Sequence, residues 1–289
     1  MFLALVPAAM MSACGGNAKA DMDEKIVTVS VLPQKYFIEQ IAGDLVKVNV
    51  MIPPGASPAT YEPSPSQLKD LSRSQLYFRI GYVVFEQSWM DKIRSVNPEM
   101  RIVNLSEGVD LIMEEGHQDH HHGHHHGGID PHIWMSVPAV KIMAGKMHAA
   151  LSHFLPSEKE RLTRNYQDFI ARLDTLDAQI RNELKHIKNR TFMIYHPSLS
   201  YFARDYGFVQ YPLELEGKVP SPAHMKYLAD VGKEQKVRTI FLQMQFNQQN
   251  AIALSEEIGA EIVQINPLDP EWHEQMLYIT SKLKSDSHE

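Results

Sequence analysis

A chain of 289 residues is long enough for one large domain or for two lobes of ordinary size. Hydrophobic residues make up 44% and charged residues 22%, which supplies an ordinary packed core and excludes global disorder. The net charge of −7, with 28 Lys and Arg against 35 Asp and Glu and no long basic run, excludes nucleic acid as the main partner, because phosphate binding needs concentrated Lys and Arg. Histidine is the outlier. Of 15 histidines, seven lie between His117 and His126, a bias that points to metal before any fold is considered.

The single cysteine, Cys14, excludes a disulfide framework and a thiolate zinc site within one chain. Met1 to Met11 are apolar and uncharged, too short a run to span a membrane and of a length that suits a secretory signal. Small residues just before Cys14, with Gly15, Gly16 and Asn17 just after, resemble the lipobox of bacterial lipoproteins, in which the Cys carries the lipid. No Lys or Arg precedes the apolar run, which leaves a hydrophobic terminus with an incidental thiol as the alternative. Residues 1–22 are therefore set apart from the fold.

From there the expected elements alternate. Ile26 to Leu32 is rich in β-branched residues and reads as a buried strand ended by Pro33, with a helix over Tyr36 to Ala42. Strands are expected at Val46 to Ile52, Leu76 to Ile80 and Arg101 to Asn104, with helices at Ser66 to Ser72 and Phe85 to Arg94. The polar tract over 114–128 interrupts this lobe as a loop, and a helix over Val137 to Phe154 closes it before Pro156. From Ser157 to Lys188, Leu162, Tyr166, Phe169, Leu173, Leu176, Ile180, Leu184 and Ile187 recur in steps of three and four, which marks one face of a long helix. Ser157 and Glu160 suggest a capping box at its start. The alternation then restarts, with strands at Thr191 to Tyr195, Phe208 to Leu213, Thr239 to Gln243 and Glu261 to Ile265. Helices are expected at Leu199 to Asp205, Ala223 to Glu234, Asn250 to Ile258 and Trp272 to Lys284. The fold class is α/β: two lobes, each a mainly parallel sheet flanked by helices, joined by one long backbone helix. The expected boundaries are 23–156, 157–189 and 190–289.

Three features carry chemistry. The run from His117 to His126, with His120, His121, His122, His124, His125 and His126 at its centre, is too dense in histidine to build a core. Imidazole suits zinc, copper and nickel better than magnesium or calcium, so the tract reads as a metal collector or sensor. A solvated, functionless loop is the other reading; an expression tag would sit at a terminus. Second, Asp130-Pro131-His132-Ile133-Trp134 holds a stiffly mounted histidine, beside which Trp134 is expected to pack. Third, Tyr195-His196-Pro197 ends the first strand of the second lobe, where ligands of open α/β sheets collect. One histidine from each lobe is the arrangement expected of a cleft gripped from both sides. Glu214 and Glu216 have no nucleophile beside them, and Met244 is expected to pack.

The segment from Pro53-Pro54-Gly55 through Ser57-Pro58-Ala59-Thr60-Tyr61-Glu62-Pro63 resembles the first metal-loop segment of the zinc/manganese substrate-binding proteins of ABC transporters. Asp130 to Trp134 is similar to that family's second segment, His196-Pro197 through Gly207 to its third, and Glu214 to Ser221 and Gln245 to Ala260 also match. The similarity runs from about Val27 to Lys284, and a histidine-rich loop before the second segment is a feature of the zinc branch. The resemblance implies a monomeric lipoprotein outside the cytoplasmic membrane, anchored through Cys14, which passes zinc to an ABC permease and catalyses nothing. It implies His132 and His196 as metal ligands, with imidazole at 196 favouring zinc over the manganese branch's usual Glu.

Two positions depart from the family: Ala59 stands where its first ligand His is expected, and Asn266 where an Asp is common. Two ligands do not close a zinc site, which usually takes four, so Glu62, Asn266, an imidazole of the 117–126 tract or water are the further donors to consider. Manganese or another divalent metal, a storage or adhesion lipoprotein without transport, and a zinc enzyme remain the competing readings. The last lacks a His-Glu-x-x-His motif.

Overall fold

The computed structural model describes residues 24–58, 60–113, 128–215, 217–246 and 248–285. Cys14, Ala59, the 117–126 tract and Glu216 lie outside them.

The first half builds one parallel sheet. Strand β1 (Ile26–Val29) is buried along its whole length, as a β-branched run in the middle of a sheet should be. Helix α1 (Leu32–Ala42) follows, then β2 (Lys47–Val50), α2 (Pro65–Leu71), β3 (Leu76–Arg79), α3 (Val84–Val96) and β4 (Arg101–Asn104). The strand order is β2-β1-β3-β4, all parallel, with Val27 paired to both Val48 and Leu76. Pro33 does not end the first strand by itself, as expected, but sits in the first turn of α1, where its missing N–H costs nothing. The capping box of this lobe is at Ser64 and Gln67, which opens α2.

After a short 3₁₀ turn (Ile133–Met135), α4 (Val137–Phe154) and α5 (Lys159–Leu184) pack against each other. The 26 residues of α5 reach about 39 Å at ~1.5 Å per residue. Leu162, Phe169, Leu173, Leu176, Ile180 and Leu184 form its buried stripe. The capping box expected at Ser157 is not formed: Pro156–Glu158 makes a 3₁₀ turn, and α5 begins at Lys159 with no side-chain cap. The helix stops at Leu184 rather than Lys188, where the Arg190 guanidinium donates to the Leu184 carbonyl at 2.8 Å.

The second sheet repeats the plan with β5 (Thr191–Ile194), α6 (Ser200–Tyr206), β6 (Val209–Pro212), α7 (Pro222–Glu234), β7 (Thr239–Gln243), α8 (Gln249–Ile258) and β8 (Glu261–Ile265). Its order is β6-β5-β7-β8, again parallel. Helix α6 ends on Gly207, whose left-handed backbone (φ 72°) closes the helix at no steric cost. The last helix, α9 (Trp272–Ser285), packs on α5, and its Trp272 meets Phe37 of α1 edge-on at 5.1 Å. One apolar core therefore runs from the first sheet across α5 to Phe192, Phe241 and Met276, with a smaller cluster around Met193, Leu213 and Leu242. Met244, expected to pack, is instead 73% exposed just past the end of β7. Among the described residues no helix is long and apolar enough to cross a membrane.

Candidate metal centre

His196 follows β5 at the carboxyl end of the second sheet. Its backbone is bracketed by the buried amide of Gln243 at the end of β7. His196 N–H donates to Oε1 at 3.2 Å, and Nε2 donates to the His196 carbonyl at 2.7 Å and to Ser198 Oγ at 2.8 Å. Phe246 stacks on the imidazole at 5.5 Å and on Tyr195 at 5.0 Å, so the ring has a fixed face. Its Nδ1 is hydrogen-bonded to Glu214, a buried carboxylate that follows β6.

His132 arrives from the other lobe. It immediately precedes the 3₁₀ turn at Ile133 and is reached through an isolated antiparallel bridge between Met113 and Ile129. One oxygen of Asp130 accepts both the His132 backbone N–H and Nδ1, each at 2.8 Å. Asp130 is 3% exposed. Burial alone would raise its carboxyl; the His132 charge, with hydrogen bonds from His132 and Ser200, outweighs that and holds it below the ordinary carboxylate value. Trp134 stands edge-on to His132 at 5.2 Å, as expected, and donates its indole N–H to the Pro267 carbonyl at 2.8 Å.

The two rings meet. Nε2 of His132 lies 3.3 Å from Nε2 of His196, with the ring planes at 72°. A carboxylate accepts only, so each Nδ1 donates to its carboxylate and each Nε2 is turned toward the same point between the lobes.

The other expected donors are not joined to this pair. Glu62 is exposed on the segment before α2. The Asn266 side chain is committed to its own turn, accepting from Leu268 N at 3.1 Å and reaching Asp269 at 3.4 Å. No group of three or more His, Cys, Asp or Glu poised to hold an ion occurs among the described residues. His120, His121, His122, His124, His125 and His126 fall outside them. Elsewhere among the described residues, His148 stacks on Tyr166 at 4.6 Å and His224 bonds the Pro212 carbonyl. Sequence reasoning passed over Asp130 and Glu214 as partners. Their signals were available: a carboxylate two residues before one histidine, and another just past a strand predicted to lie in the same sheet as the other.

The chain matches the family described as zinc-uptake complex component A, periplasmic, over residues 27–282. It belongs to that family. Two curated relatives are each 28% identical. One is the zinc-binding lipoprotein AdcA of Streptococcus pneumoniae (strain ATCC BAA-255 / R6), matched over 93% of this chain and 55% of AdcA. The other is the high-affinity zinc uptake system protein ZnuA of Bacillus subtilis (strain 168), matched over 90% of this chain and 85% of ZnuA. The chain thus spans about half the length of AdcA. A crystal structure of a ZnuA deletion mutant with zinc bound superposes with a TM-score of 0.84 at 35% identity, covering 92% of this chain and 98% of that one. The two-lobe α/β architecture with a long connecting helix is the fold of this family.

Proposed function

We propose that the protein is an extracytoplasmic zinc-binding protein that delivers zinc to an ABC permease, with His132 and His196 holding the ion. The observation that carries this is the 3.3 Å between the two Nε2 atoms. Two nitrogens bound at ~2.0–2.1 Å to one tetrahedral zinc stand about 3.3–3.4 Å apart. The pair is therefore spaced for a shared ion, and the Asp130 and Glu214 carboxylates supply the outer contacts that fix tautomer and ring direction in such sites. Imidazole at both positions favours zinc over manganese. The zinc-binding relatives support the same cargo, and lipoprotein relatives support a lipid anchor at Cys14. The protein's role is capture and transfer, not catalysis. The remaining ligands come from the 117–126 tract or from water.

The test is zinc titration of the full chain against a competing chelator. One tight site is expected in the parent chain, weakened about a hundredfold or more in both His132→Ala and His196→Ala, as the loss of a ligand imposes. Unchanged affinity in both variants rules the assignment out. Hydrolase assays with added zinc should stay at background.

A further inference from the structure

One short helix of the second lobe grips the first lobe on both sides of His132. Helix α6 begins four residues after His196, and three of its seven side chains reach the stretch between Asp110 and Ser136. Arg204 Nη1 donates to the Asp110 carbonyl at 2.6 Å. The Tyr201 hydroxyl accepts from Ile112 N–H at 3.1 Å and donates to the Asp130 carbonyl at 2.8 Å. Asp205 accepts from Ser136 Oγ. Positions 201, 204 and 205 fall on one face of a helix, so a single rigid element makes these contacts.

Tyr201 is the centre of this grip. It is fully buried, and the Arg204 guanidinium lies 5.0 Å over its ring. Burial pushes its hydroxyl up to about 12, so it remains a donor at neutral pH. Through Asp130 it acts on the imidazole whose Nδ1 that residue holds.

Resting on the zinc-binding reading, we infer that Tyr201 is a positioning residue: with Arg204 and Asp205 it clasps the first lobe to α6 and thereby sets where His132 stands relative to His196. Tyr201→Phe keeps the ring but leaves the Ile112 N–H and the Asp130 carbonyl without their shared partner. Ligand-supporting contacts are worth roughly 10–100-fold in metal affinity, so a contact one step further out should cost about tenfold.

The experiment compares the full chain with Tyr201→Phe and Tyr206→Phe. Tyr206 also lies on α6, but its hydroxyl bonds Asp177 of α5 at 2.9 Å, so it controls for a lost hydroxyl on the same helix. Zinc affinity is read by chelator competition, and ligand geometry by the visible absorption of the Co²⁺-loaded proteins. Tyr201→Phe is expected to lose about tenfold in affinity and to shift the Co²⁺ bands, with Tyr206→Phe at parent values in both. Parent affinity and spectrum in Tyr201→Phe overturn the inference, as does an equal change in Tyr206→Phe. If Tyr201→Phe does not fold, Arg204→Gln is read in the same way, and an unchanged affinity and spectrum there is equally decisive against it. Failure of the parent chain to bind zinc sinks the underlying reading instead, which separates the two.

Discussion

Asp130 and Glu214 perform the same task for opposite lobes: each accepts the Nδ1 hydrogen of one histidine and so turns its Nε2 toward the shared point. Both carboxylates are buried, which keeps water from competing for those hydrogen bonds. Asp130→Asn and Glu214→Gln preserve shape but allow the amide N–H₂ to face Nδ1 and favour the wrong tautomer. Each should weaken zinc binding by roughly 10–100-fold, measured by chelator competition. Unaltered affinity in both would show that the ring orientations are set by packing against Phe246 and Trp134 alone.

Binding should also weaken in acid. Protons compete with zinc for the two Nε2 lone pairs, so affinity is expected to drop as the pH is lowered from about 7.5 to about 5. A flat profile across that range contradicts imidazole ligation.

A separate acid sensitivity belongs to the fold. His148, stacked on Tyr166 and bonded to Thr163, is held below its ordinary value of 6.5, first by burial and then by the Lys159 charge. The unfolded chain therefore binds this proton at a higher pH than the folded one. The stability contributed by the neutral ring is full above 6.5 and is lost as pH falls through the window below it. In metal-free protein, the melting temperature of His148→Gln should fall less than that of the parent between about pH 6.5 and 5. Parallel curves would assign the acid sensitivity to other groups.

Local pattern carried the reading of this chain a long way, and long-range contact carried the remainder. β1 and β7 were legible because runs such as Ile26 to Val29 are buried on both faces of a parallel sheet. The stripe on α5 was legible because its period is that of one helix. His132 and His196 stood out by their settings, and the structure brings their rings together across 64 residues of sequence. What local pattern could not show was which residues converge from elsewhere. Glu214 meets His196 only because β6 and β5 are neighbours, and Tyr201 meets Asp130 only because α6 crosses to the other lobe. Ser157 had a capping pattern, but the preceding Pro156 opens a 3₁₀ turn there and the cap is not formed.

Trp272 tests the longest of those crossings. It is 1% exposed, packs on Phe37 and Tyr36 of the first lobe, and donates its indole N–H to the Trp134 carbonyl at 2.7 Å. Trp134 in turn bonds Pro267, so the two tryptophans tie the last helix to the turn that carries His132. Trp272→Ala should destabilise the protein by about 3–5 kcal/mol, as large-to-small changes at buried aromatics do. Denaturant unfolding measures it. A loss below about 1 kcal/mol would mean that α9 contributes little to the first lobe.

The histidine tract decides how the coordination is completed. Two imidazoles leave a zinc site short of its usual four ligands, and neither Glu62 nor Asn266 is joined to the pair. Residue 128 rejoins the described chain only four positions before His132, so an imidazole from the tract has a short path to the ion. Deleting residues 114–127 should then lower the affinity of the tight site by at least tenfold, beyond removing weaker equivalents of zinc, because a lost ligand costs several kcal/mol of binding. Isothermal titration separates the effects, since collector sites change stoichiometry while a ligand changes the tight dissociation constant. Loss of the weak equivalents with the tight constant intact would leave the tract as a collector and assign the open positions to water.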